Sequence, residues 1–199
     1  MKMGRGRGEC WFNSKVYMSI LHSIQNLDGE ILLLIQQYLR SDILTPVMKM
    51  ITFLGNGGWF WILCAVILLV SPKTRKVGCA ASLSIIFGAL VTNVLLKNLV
   101  ARARPFAVID ALTPLIAKPT DFSFPSGHTT ASFAVALVIA RMFPKKYGVP
   151  AVILAALVAF SRLYLGVHYP TDVLAGFLVA LAGSTLSVWL VRKKDPHAL

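Results

Sequence analysis

The sequence predicts an all-α fold, a polytopic transmembrane helical bundle of five or six spans with short interfacial helices near the N-terminus. Three observations carry that expectation. The 199 residues are 56% hydrophobic with a mean hydropathy of +0.70, above the roughly half-apolar composition of soluble domains. The apolar residues fall in runs near the ~20 residues that cross a bilayer as a helix. The basic residues gather between those runs, where topology signals lie. In hydrocarbon a segment must satisfy its own backbone N–H and C=O groups, which a helix does alone.

The chain opens with Arg5 and Arg7 among glycines. No apolar core with a small-residue cleavage site follows, so no removed signal peptide is expected. The two arginines read as a disordered basic tail near anionic headgroups. Residues 29–40 and 43–54 are apolar but interrupted by Gln36, Gln37, Asp42 and Lys49. They are either short interfacial or re-entrant helices or, together, one broken span. Residues 57–71 are short but almost wholly apolar, and Trp59 and Trp61 fit an interfacial aromatic belt. Residues 77–96, 126–143, 149–165 and 173–191 are the four longest apolar stretches. The organisation expected is a basic tail with interfacial or re-entrant helices at 1–56, a transmembrane core at 57–194 and a cytoplasmic tail at 195–199.

Twenty Lys and Arg against eight Asp and Glu give a net charge of +12. In a soluble protein that excess would suggest nucleic acid, but here the cations punctuate apolar runs without forming a patch, and no nucleic-acid partner is expected. Three clusters, Lys73 with Arg75 and Lys76, Arg141 with Lys145 and Lys146, and Arg192 to Lys194, fall at alternate turns, which places them and the C-terminus on the cytoplasmic side. The turns at 97–124 and 162–171 then face outward. Cys10, Cys64 and Cys79 have no paired metal-ligand spacing and read as packing residues.

The outward turns hold the chemistry. Lys97 and Arg104 are seven apart, near one helical face two turns apart, although Pro105 disfavours helix at Arg104. They are either ligands for one anion or snorkelling interfacial cations. In Pro125-Ser126-Gly127-His128, Ser126 suits an N-cap and Gly127 admits close backbone approach, at a helix start whose free N–H groups attract anions. His168 and Asp172 are four apart around Pro170, itself suited to the first turn of the last helix. That carboxylate can fix the imidazole tautomer so that the other nitrogen presents its lone pair. Arg162 at the same face can bind phosphate oxygens with its fork. Ionisable groups at membrane depth are expensive without a function. With one carboxylate, Asp172, in these three motifs, a two-metal hydrolase is disfavoured, and neither metal nor cofactor is expected.

Lys-x6-Arg-Pro, Pro-Ser-Gly-His and Ser-Arg-x5-His-x3-Asp, in this order, resemble the three signatures of the type 2 phosphatidic acid phosphatase superfamily, and all three match completely. The resemblance covers about residues 77–191. It implies that His168 attacks phosphorus, that Asp172 orients it, and that His128 protonates the leaving oxygen and later activates water. Lys97, Arg104, Arg162, the Ser126 hydroxyl and the Gly127 N–H would hold the non-bridging oxygens. Arg102 stands outside the signature and would meet either a second phosphate or a lipid headgroup. Loop 106–124, with Asp110, Lys118 and Asp121, is either a lid or a connector.

The expected partners are the lipid bilayer and a membrane lipid phosphate or diphosphate. Small members with an outward site resemble bacterial undecaprenyl pyrophosphate phosphatases, which implies the bacterial cytoplasmic membrane. Phosphatidylglycerophosphate, phosphatidic acid and diacylglycerol pyrophosphate stay open as substrates. The superfamily's soluble vanadium haloperoxidases disagree with this hydropathy, and a non-catalytic lipid-phosphate binder or transporter would need neither His128 nor His168.

Overall fold

Residues 6–194 are described by a computed structural model, with side chains for residues 19–193. Among the described residues there is no strand. The helices are α1 (Gly6–Tyr38), α2 (Leu44–Phe53), α3 (Trp59–Val70), α4 (Arg75–Ala89), a π-helical stretch (Leu90–Leu96), α5 (Lys97–Val100), α6 (Gly127–Met142), α7 (Lys145–Tyr164) and α8 (Pro170–Lys194). The predicted stretch 77–96 covers α4 and the π-helical stretch, and the other apolar stretches fall largely on one helix each. The expected tail at 195–199, the side chain of Cys10 and Arg5 lie outside the described residues.

The bundle is organised around α6, which packs against α3, α4, α7 and α8. Its residues Ala134, Val135, Ala136 and Val138 are fully buried. Small residues let the neighbouring backbones approach. A Cβ on Gly78 of α4 would stand 2.2 Å from the Leu69 nitrogen of α3, so those helices touch backbone to backbone. The outer faces carry exposed Leu63, Val66, Ile67, Ile86, Leu157 and Leu178, a surface suited to lipid.

Segments Arg75–Ala107, Lys145–Tyr164 and Pro170–Lys193 are long and apolar enough to cross a membrane, and α2 with α3, bent by 42° at their break, makes a fourth if the pair is one span. At 16 residues, α6 is about 24 Å long, short of the ~30 Å hydrocarbon core.

The N-terminal region departs from expectation. Segment 29–40 is not a separate short interfacial or re-entrant helix but part of α1, which runs unbroken for 33 residues. The broken pair is α2 with α3, across Gly55–Gly58, where Gly57 and Gly58 take positive φ. The end of α1 also ties down loop 106–124. Gln36 donates to the Ala111 carbonyl at 2.8 Å, and Arg40 Nη1 donates to the Thr113 carbonyl at 2.6 Å.

The basic turns share one end of the bundle. Arg141 donates to Ser184 Oγ at 2.5 Å and Arg192 to the Arg141 carbonyl at 3.1 Å, while Arg75 lines a groove with Leu190 and Val191. The N-termini of α6 and α8, with both motif histidines, occupy the opposite end.

Candidate active site

Lys97 and Arg104 do not share a helix face. α5 stops at Ala101, whose φ of 46° is left-handed, and Arg104 is extended at φ −75°, ψ 152°, as a residue before proline tends to be. They converge because both grip Asp121 of loop 106–124. Lys97 Nζ donates to Asp121 Oδ2. Arg104 Nη2 donates to Oδ1 at 2.7 Å and its Nε to the Asp121 carbonyl at 2.8 Å. Partial burial alone would raise the Asp121 pKa, but hydrogen bonds from Lys97 and then Arg104 outweigh it and bring the carboxyl to about 2.

Ser126 is the N-cap of α6, with extended backbone and Oγ accepting from the Thr129 N–H at 3.4 Å. It also accepts from Thr129 Oγ1 at 3.0 Å and is fully buried. Ser126 therefore sits behind the site wall, and Gly127 and His128 form that wall. His128 Nε2 lies 2.9 Å from Asn56 Oδ1 in the turn between α2 and α3. An amide oxygen only accepts, so Nε2 carries the proton in this arrangement.

Arg162, in the last turn of α7, is 3% exposed. Its Nη1 donates to Thr52 Oγ1 at 2.6 Å, and its Nε meets no partner among the described residues. A buried guanidinium with an open donor is prepared for an anion.

His168 follows the turn after α7. Its Nε2 stands 3.3 Å from Arg104 Nη1. Because a guanidinium only donates, Nε2 accepts and the proton belongs on Nδ1. Nδ1 lies 3.5 Å from Asp172 Oδ2, longer than a formed hydrogen bond, and catalytic contacts of this kind tighten when substrate arrives. Complete burial lowers the His168 pKa to about 4, against the opposing pull of Asp172. Pro170 is the first residue of α8 and Asp172 lies in its first turn. Fully buried, Asp172 accepts from Ser123 Oγ at 2.5 Å and the Tyr169 N–H at 2.9 Å on Oδ2, and from Arg102 Nη1 at 2.7 Å on Oδ1.

Lys97, Arg104, Gly127, His128, Arg162 and His168 thus line one cavity of about 440 Å³, with Asp172 directly behind His168. A second cavity of about 320 Å³ shares Lys97, Gly127 and His128 and continues along Ile62, Ile85 and Gly88 between α3, α4 and α6. Among the described residues no three His, Cys, Asp or Glu side chains gather as a metal site. Asp28, Thr52, Asn56 and Ser123 complete the surroundings and were missed in the sequence. Only Asp28 left a signal there, as a carboxylate that with Glu30 directly precedes the apolar run 31–35. The fork of Arg102 is taken by Asp28 and Asp172.

A sequence model described as the PAP2 superfamily matches residues 78–196. The chain is 32% identical over 175 residues to an undecaprenyl-diphosphatase of Sulfolobus acidocaldarius, covering 87% of this chain and 84% of that protein. It is 37% identical over 143 residues to the undecaprenyl-diphosphatase BcrC of Bacillus subtilis, covering 71% and 72%. Among solved structures it resembles the transmembrane PAP2 type phosphatidylglycerolphosphate phosphatase of Bacillus subtilis, with a TM-score of 0.68, 30% identity and 87% of each chain covered.

Proposed function

The chain belongs to the PAP2 superfamily, and we propose that it is an integral-membrane lipid phosphatase acting through a phosphohistidine intermediate, without a metal ion, on undecaprenyl pyrophosphate. One observation carries this reading. The Nε2 lone pair of buried His168, which accepts from Arg104, shares a cavity with four cations, Lys49, Lys97, Arg104 and Arg162, and a second histidine.

In the proposed reaction the terminal phosphate displaces Asp121 from Lys97 and Arg104 and fills the open donor of Arg162. Gly127 adds its N–H, with Ser126 holding the start of α6 in place. These donors stabilise charge that builds on the non-bridging oxygens. His168 Nε2 attacks phosphorus in line, forming the N–P bond as the bond to the bridging oxygen breaks. His128, entering the cycle as the imidazolium, gives a proton to that departing oxygen and becomes neutral, and Asp172 stabilises the imidazolium formed at His168. His128 then takes a proton from water, whose oxygen attacks phosphorus. The N–P bond breaks, releasing phosphate and restoring His168.

The second cavity supports a lipid in preference to a soluble ester, because it leads from the phosphate seat between helices toward the apolar flank. The two undecaprenyl-diphosphatase relatives support the diphosphate, while the likeness to a phosphatidylglycerolphosphate phosphatase favours phosphatidylglycerophosphate as the second candidate. The three basic turns support an outward site and a cytoplasmic C-terminus in a bacterial cytoplasmic membrane.

The test is phosphate release by the detergent-purified protein from undecaprenyl pyrophosphate, phosphatidylglycerophosphate and phosphatidic acid, with and without chelator. Rapid quench with terminally labelled substrate is expected to trap acid-labile, base-stable label on the protein, absent in His168→Ala. Near wild-type turnover by His168→Ala would overturn the mechanism. Activity abolished by chelator and restored by magnesium or zinc would overturn metal independence.

A further inference from the structure

We infer that Asp28 and Arg102 are positioning residues for the histidine nucleophile, α1 supplying a buried carboxylate that acts through Arg102 on Asp172. The inference rests on the assignment of His168 above. Arg102 divides its fork: Nη2 pairs with Asp28 Oδ2 at 2.7 Å, and Nη1 with Asp172 Oδ1 at 2.7 Å and Thr171 Oγ1 at 2.7 Å. Its guanidinium also stacks 3.8 Å above the Tyr169 ring. Asp28 is 2% exposed and accepts from the Thr171 N–H at 3.1 Å and from Thr171 Oγ1. It stands outside the residues 78–196 that the family model matches.

Geometry and charge both point to a role in the reaction. With Oδ1 held by Arg102, and Oδ2 by Ser123 and the Tyr169 N–H, the Asp172 carboxylate cannot rotate, and Oδ2 stays toward His168. Were Asp28 absent, the whole charge of Arg102 would fall on Asp172 and cancel the field that steadies an imidazolium. With Asp28 present, the buried Asp28, Arg102 and Asp172 together carry one net negative charge. That balances the one positive charge His168 acquires as it is phosphorylated, in surroundings where unbalanced charge is expensive.

The experiment measures kcat and KM of full-length Asp28→Asn, Arg102→Met and Arg102→Lys in detergent, with undecaprenyl pyrophosphate and undecaprenyl phosphate, beside His168→Ala. The expected result is a kcat lowered about 10- to 100-fold in Asp28→Asn and Arg102→Met, the range for a displaced catalytic group. KM should stay within about threefold and the loss should be equal on both substrates, as removal of a transition-state effect requires. Arg102→Lys should recover part of the rate through one carboxylate contact. A lowered melting temperature with unchanged kcat in Asp28→Asn would make the network a structural tie and overturn the inference. A raised KM, or a loss confined to the diphosphate, would place Arg102 on the second phosphate and overturn it as well. If Arg102→Met does not fold, Asp28→Asn, which keeps its volume, decides. Turnover by His168→Ala would instead refute the nucleophile assignment itself.

Discussion

Replacing Gly55 by alanine tests whether the break between α2 and α3 positions His128. Gly55 has φ −90° and ψ −9°, so its backbone accepts alanine without strain. The new Cβ would stand 2.5 Å from His128 Cδ2 and 2.8 Å from Val158 Cγ1, whereas carbon atoms rest about 3.5–4.0 Å apart. The imidazole must therefore retreat by roughly 1 Å, giving up its 2.9 Å contact with Asn56. A shift of that size can lower a rate about 10²-fold, and overpacking costs about 1–3 kcal/mol. Gly57→Ala is the control, since its Cβ meets nothing within 4 Å but its φ of +57° is left-handed, a strain of roughly 1–2 kcal/mol. Phosphate release and melting temperature are measured on both variants in detergent. We expect kcat to fall about 10- to 100-fold in Gly55→Ala and to stay within about threefold in Gly57→Ala, with comparable loss of stability. Equal activities at equal stability would refute the claim that this break seats His128.

Asp121→Asn removes the carboxylate that competes with phosphate. Because Asp121 is half exposed, each ion pair is worth at most about 1 kcal/mol, and inorganic phosphate should inhibit the variant about two- to fivefold more tightly; weaker inhibition would show that Asp121 orders the cations instead. The folded His168 imidazole binds its proton more weakly than the usual 6.5, with a pKa near 4, so the unfolded chain takes up the proton first. Its contribution to stability is therefore complete above pH 6.5 and lost as the pH falls toward 4; thermal melting should show this, and His168→Gln should flatten that part of the profile. With Cys10, Cys64 and Cys79 replaced by serine, an impermeant thiol reagent on intact cells should label Thr113→Cys but not Lys145→Cys. Labelling of both would refute the orientation.

Both the helices and the three site motifs were legible in the sequence. Apolar run length is a local property, and a His-x3-Asp pair beside a proline forms its own first turn, so His168 and Asp172 lie where their spacing puts them. Lys97 and Arg104 were identified for a reason the structure revises. The helix between them ends at Ala101, and their meeting at Asp121 depends on loop 106–124 folding back. Ser126 kept its N-cap role but turned its hydroxyl toward Thr129.

The sequence by itself determined the all-helical membrane fold, the end of the bundle that carries the chemistry, and six of the residues that line the cavity. Only the tertiary structure decided which buried charges neutralise one another. Asp28 and Arg102 are 74 residues apart, and Gly55 and Asn56 reach His128 across a similar interval. No local pattern encodes such pairings. They arise when α1 and the α2–α3 break pack over the N-termini of α6 and α8, where low dielectric forces every ionised group to find a partner.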